Sequence, residues 1–161
     1  MVDRLSFEKR LVATAGDADA LGATLLTRIL DSCVESTLVQ SAFDCLELWE
    51  SFPSHVEPLY AAASLFFEAH RFNLALLAAE FALTIPVMPA TSFEWPFESE
   101  ATGWKMELLY ARSLVKTNRA VDAMTHYASV LSSCPHDMRS GISNEVAIAS
   151  RQLPLCEIFI E

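Results

Sequence analysis

Residues 70–86 read HRFNLALLAAEFALTIP, and residues 118–135 read NRAVDAMTHYASVLSSCP. Aligning Ala75 with Ala123 brings Ala82 over Val130 and Leu83 over Leu131, with the closing prolines Pro86 and Pro135 within one residue of register. Upstream, YAAASLFFEAHRF matches YARSLVKTNRA, pairing Ala63 with Ala111 and Phe66 with Leu114. The apolar stretch is therefore one copy of a unit that the chain uses again. Each unit reads as two helices, about 56–69 and 72–85 in the first copy, with apolar residues at three-and-four spacing. The turn between them falls at His70-Arg71, or at Thr117-Asn118 in the second copy. A proline ends each second helix, because its ring clashes with the preceding turn and it has no N–H. Ala63, Ala75 and Ala82 are small enough to let two helix backbones approach closely.

Composition agrees. The 161 residues are 52% hydrophobic, rich in Ala and Leu, and hold only four glycines. That mixture favours a helical, well-cored domain over disorder. No window is long and apolar enough to span a membrane, and Arg4, Glu8, Lys9 and Arg10 interrupt the start where an export signal would be apolar. A cytoplasmic location is expected. The net charge is -10, with 5 basic and 15 acidic residues in 1–100 and 6 of each in 101–161. Such a chain repels phosphate backbones, so nucleic acid is not an expected partner. Basic proteins, or apolar proteins that need solubilising, are.

The pattern resembles the tetratricopeptide repeat (TPR), on Ala63, Phe66, Ala75, Ala82 and Pro86 in one copy and Ala111, Leu114, Ala123, Val130 and Pro135 in the next. The usual Trp and Gly of the first helix are missing, and His70 and Asn118 stand where the family has its turn glycine. A third copy is expected upstream, with helices over 18–36 and 41–53. The expected architecture is all-α: a right-handed stack of antiparallel helix hairpins, a TPR-like α-solenoid in one domain over 1–161. Its repeats are approximately 18–53, 56–86 and 101–135, with an insertion at 87–101 and a capping helix at 137–153 that covers the open end of the stack.

The resemblance implies a concave groove lined by Glu57, Tyr60, Ser64 and Phe67 from one copy, and Lys105, Leu108, Arg112 and Val115 from the next. The alternative for Tyr60, Phe67 and Leu108 is plain packing against neighbouring helices. One branch of the family grips a terminal carboxylate of heat-shock chaperones through Lys and Asn; here Tyr60, Ser64, Leu108 and Arg112 stand instead, so that role is not implied. An amphipathic helix or extended apolar segment of another protein suits the mixed lining better. Within TSFEWPFESEATGW (91–104), Phe93, Trp95, Phe97 and Trp104 alternate with acidic residues and either pack back onto the repeats or touch a partner. The apolar stretch LCEIFIE (155–161) is expected to dock on the cap or on another subunit.

Catalytic signatures are missing: no GxSxG, HExxH, GxxxxGK[ST] or GxGxxG occurs. His55 and His70 fall at turns where solvated side chains are expected, and His126 lies beside Tyr127 on a helix. Cys134-Pro135-His136 reads as a helix stop, because adjacency alone does not give a thiol–imidazole pair its geometry. Asp17 and Asp19 read as helix-start carboxylates. Cys33, Cys45 and Cys134 fall within helical patterns and read as small core residues; with Cys156 they show no metal-ligand spacing. No cofactor or metal is expected. The function implied is a non-catalytic protein-binding module, and small acidic TPR-like chaperones of type III secretion, which hold needle or translocator subunits, are similar in length, charge and layout. A general scaffold or adaptor subunit is the alternative, an enzyme the less favoured one. A homo- or hetero-oligomer, or a groove filled by the chain's own tail, is compatible with the same residues.

Overall fold

A computed structural model describes residues 15–86, 95–97, 101 and 103–152. Among the described residues the chain is all-α. Seven helices follow in order: α1 Ala15–Asp31, α2 Leu38–Ser51, α3 Glu57–Glu68, α4 Phe72–Thr84, α5 Trp104–Lys116, α6 Ala120–Ser133 and α7 Arg139–Ser150. Short 3-10 turns, Glu35–Thr37 and His136–Met138, lead into α2 and α7. Each helix packs on the next along the chain, and α3 also touches α5. None of the described helices is long and apolar enough to cross a membrane.

The internal repeat is visible in the backbone. A constant offset of 48 residues carries Phe66 to Leu114, His70 to Asn118 and Arg71 to Arg119. Arg71 N–H donates to Phe66 O at 2.8 Å and His70 N–H to Phe67 O at 3.0 Å; Arg119 N–H donates to Leu114 O at 2.8 Å and Asn118 N–H to Val115 O at 3.2 Å. Both are Schellman turns, which satisfy carbonyls that a helix end otherwise leaves without donors. Such a turn needs a left-handed residue, and His70 (φ 56°) and Asn118 (φ 62°) take that conformation. The missing turn glycines are thus replaced by two residues doing the glycine's job. α4 and α6 then end in the same way: Ile85 (ψ 127°) and Cys134 (ψ 155°) are extended, as a residue before proline must be.

The small residues sit at the helix contacts. Ala63, Ala111, Ala75 and Ala123 are all fully buried, as are Phe66 and Leu114 between them. Burying a ring such as Phe66 contributes roughly 1.5–3 kcal/mol, and Phe43 of α2 meets it edge-on at 5.2 Å. One part of the core gathers α1, α2, α3 and the start of α4. The other gathers the rest of α4 with α5, α6 and α7, and Phe67 and Leu46 border both.

Several local expectations change. α1 ends at Asp31 rather than at 36, and Cys33 lies half-buried in the connection, outside any helix. The separate turn forms because the Thr37 hydroxyl takes the Val34 N–H at 3.1 Å and returns a bond to Val34 O at 3.0 Å. Asp19 is no cap: α1 is already helical at Ala15, and the Asp19 carboxylate lies 3.3 Å from His55 Nε2. His55, expected in solvent, is only 8% exposed. Trp95 covers it, with rings stacked at 4.3 Å and 21°, and Glu57 Oε2 lies 3.7 Å from its Nδ1.

Candidate protein-binding groove

The first helices of the two repeat units, α3 and α5, lie side by side with α7 beyond them. Six of the expected groove residues, Tyr60, Ser64 and Phe67 of α3 with Lys105, Leu108 and Arg112 of α5, line one open cavity of about 280 Å³. Their spacing explains it: 60, 64 and 67, like 105, 108 and 112, recur every three or four residues and share one helix face. Trp104, expected to pack back onto the repeats or touch a partner, is the first residue of α5 and lines the same cavity with Glu68, Leu109 and Met138. A second cavity of about 270 Å³ continues toward α7, where Phe67, Arg112 and Val115 meet Tyr127, Glu145, Ile148 and Gln152. Phe67 and Arg112 belong to both cavities, so the two form one continuous face.

The floor is apolar and the edge charged. Leu108 is 4% exposed and forms part of the floor. Phe67, Tyr60 and Val115 are half-buried, while Ile148 is 60% and Met138 45% exposed. Lys105, Arg112 and Lys116 run along α5 beside Glu68 and Glu145. Arg112 meets Glu145 through two hydrogen bonds, and that pairing holds its guanidinium above its ordinary pKa. Tyr127 beneath is shifted upward too, first by burial and then by the Glu145 charge. Lys116 also lies 5.7 Å over the Phe72 ring.

Glu57 stands apart. It is 5% exposed and lies beside His55 at the start of α3, away from the residues that line either cavity. The aromatic segment divides in the same way. Trp95 is 2% exposed, packed against Gly22, Phe52 and His55. Phe97 is 37% exposed with its ring 5.5 Å from Tyr60, and Phe93 lies outside the described residues. Sequence reading missed the α7 wall of the face. The signal was present: Glu145, Ile148 and Gln152 recur every three or four residues, the spacing of one helix face.

A second apolar surface lies on α4. Leu74, Leu77 and Phe81 are 37%, 60% and 50% exposed. The 48-residue offset sets them over Asp122, Thr125 and Ser129 of α6, which are polar. Phe81 meets Trp49 of α2 edge-on at 5.2 Å.

Among the described residues, no group of three or more His, Cys, Asp or Glu side chains could hold a metal ion. His126 Nδ1 lies 3.2 Å from Glu107 Oε1, and Ser129 donates to Glu107 Oε2 at 2.7 Å. These contacts tie α5 to α6. Cys134 is buried at the end of α6. Comparisons with protein-family models, with curated proteins and with solved structures match none of them.

Proposed function

We propose that this chain is a non-catalytic protein-binding module. In this reading it is a right-handed stack of antiparallel helix hairpins of tetratricopeptide type, with α7 as its cap. It holds an amphipathic helix or an extended apolar segment of another protein against α3, α5 and α7. The observation that carries the reading is the convergence of Tyr60, Ser64, Phe67, Lys105, Leu108 and Arg112 on one cavity. The repeated Schellman turn supports the hairpin stack, because it gives both units the same reversal. An apolar floor masks a client's sticky face, and the chain's net charge of -10 keeps the pair in solution. A client of this sort is what type III secretion chaperones hold in the cytoplasm, as needle or translocator subunits.

The test is co-purification from the native organism with quantitative mass spectrometry, comparing wild type with Phe67→Glu and Ile148→Glu. The reading predicts one protein enriched with wild type and lost with both variants while they keep wild-type helicity. Equal capture by all three contradicts it. A secreted subunit as the captured protein supports the chaperone form.

A scaffold or adaptor is the second reading, and the apolar row Leu74, Leu77 and Phe81 favours it by offering a further contact face on α4. Leu77→Glu then removes one captured protein and leaves the other.

A further inference from the structure

The turn edge of the two hairpins carries a further open cavity, of about 530 Å³. It lies where the His70 turn and the Asn118 turn stand side by side, with Arg71, Phe72 and Leu74 on one flank and Lys116 on the other. We propose that this pocket seats an acidic stretch of the partner protein, continuous with the apolar segment held in the groove. The inference rests on the groove reading above and deepens it, because it assigns the charge of the client's flank and the direction in which the client lies.

Charge selects the occupant. The chain has 21 acidic residues against 11 basic ones, yet none of the described carboxylates lines this cavity. Each groove cavity, by contrast, includes one, Glu68 or Glu145. Arg112 is engaged by Glu145 and Arg119 by Asp122. Arg71 and Lys116 are exposed, and among the described residues neither is in an ion pair. Lys116 lies 5.7 Å over the Phe72 ring, an electrostatic contact that does not neutralise the ammonium. Two cations beside one cavity repel each other until an anion enters. A carboxylate finds matching donors there: a guanidinium can take it at two points and an ammonium as a point charge. The His70 ring and the Asn118 amide add hydrogen-bonding groups to the same lining.

Continuity ties the pocket to the groove. Lys116 lines both this cavity and the one beside α7. Phe67, which lines both groove cavities, meets the Phe72 ring edge-on at 5.2 Å, and His70 meets Phe72 at 5.6 Å. The apolar floor thus runs on into the pocket, where the exposed Leu74 extends it. A free phosphate would use the cations and leave that floor in water. A peptide carrying acidic and apolar side chains uses both. A nucleic acid, with charge along its whole length, meets the repulsion of a chain whose net charge is -10. The pocket therefore orients the client: its acidic end lies at the hairpin turns, and its apolar anchors lie along α3, α5 and α7.

The test uses the full chain and a rhodamine-labelled peptide of glutamate and leucine residues, followed by anisotropy at physiological ionic strength, where exposed charges are screened beyond about 8 Å. The expected result is saturable binding that Arg71→Gln/Lys116→Gln weakens about tenfold and Lys116→Arg retains, with helical circular dichroism unchanged in both variants. No binding to wild type, or equal affinity for wild type and the double variant, overturns the proposal. Displacement of the peptide by an equal concentration of inorganic phosphate overturns it too, by assigning the pocket to a free anion. Ile148 lines the groove and not this pocket, so capture of the native partner by Ile148→Glu reads the groove separately. If the peptide result is negative while Ile148→Glu loses the partner, the groove reading stands and the acidic seat falls. If the peptide binds as expected while Ile148→Glu keeps the partner, the acidic seat stands and the groove reading fails.

Discussion

Arg112 Nε donates to Glu145 Oε2 at 2.8 Å, and Arg112 Nη2 to Glu145 Oε1 at 2.6 Å, so that a planar fork joins α5 to α7 across the candidate groove. Both side chains are more than a third exposed, which limits the pair to about 0.5–1 kcal/mol even with two-point geometry. Its importance is positional, because it fixes the angle of the wall that carries Ile148. Arg112→Met is expected to lower stability by about 1 kcal/mol or less and to speed amide exchange in α7 more than in α3. Arg112→Lys restores only part of the protection, since an ammonium cannot form the parallel pair. Unaltered exchange in α7 would show that the fork does not hold the wall.

His70 and Asn118 occupy the left-handed region at the two turns. A side chain there costs on the order of 1 kcal/mol, less for Asn, which tolerates the region. Glycine removes that strain but adds freedom to the unfolded chain. His70→Gly is therefore expected to raise stability by about 0.5 kcal/mol, and Asn118→Gly by less. Denaturant midpoints read the difference. Valine at either position lowers the midpoint, because a β-branched residue resists this conformation.

Gly22 faces the Trp95 ring so closely that a Cβ there collides with Trp95 Cη2 and lies 2.7 Å from Cζ2 and 3.2 Å from Phe52 Cε1. Gly22→Ala is expected to displace Trp95, destabilise the fold by about 1–3 kcal/mol and shift tryptophan emission to the red. Gly141 on α7 has nothing within 4 Å of its would-be Cβ, so Gly141→Ala raises stability by about 0.5–1 kcal/mol through helix propensity. Similar effects at both glycines would contradict the packing of Trp95.

Much of the fold was legible in the sequence because short-range rules governed it. Alanine at contacts and proline at stops located α3 and α4 to within a residue, at about 56–69 and 72–85 against Glu57–Glu68 and Phe72–Thr84. The family resemblance implied eight groove positions, and six of them line one cavity. What was not legible depended on distant residues. His55 looks like a turn histidine until Trp95, forty positions on, closes over it. Glu57, expected in the groove, lies beside His55 at the start of α3 and lines neither cavity, and Leu108 lines the floor at only 4% exposure. Cys33 left its helix because of a local bond between Thr37 and Val34. For Leu108 the burial changes the experiment: Leu108→Glu would test stability, so Phe67 and Ile148 are the positions to probe.

Burial pushes the Cys45 thiol up to about 12, with the Asp44 charge and then Cys33 adding to the shift. Tyr110 moves upward as well, first through burial and then through Glu80. In each case the fold prefers the protonated form. The stability this supplies is complete below the unfolded thiol's value of 9.0 and is lost as pH rises toward 12, where the unfolded chain has released a proton that the folded chain keeps. The loss from Cys45 is on the order of 1.4 kcal/mol per pH unit in that window. Urea midpoints should fall accordingly, and Cys45→Ala, though less stable at neutral pH, should show a shallower alkaline decline. An equally steep decline in that variant would assign the effect to other groups.

The central claim is that another protein sits against α3, α5 and α7. Hydroxyl-radical footprinting of the purified complex against the free chain tests it most directly, because each apolar face carries its own reporters. The account predicts that Tyr60, Phe67, Met138 and Ile148 become protected in the complex. Protection confined to Leu74, Leu77 and Phe81 on α4, with the other four unchanged, would contradict it.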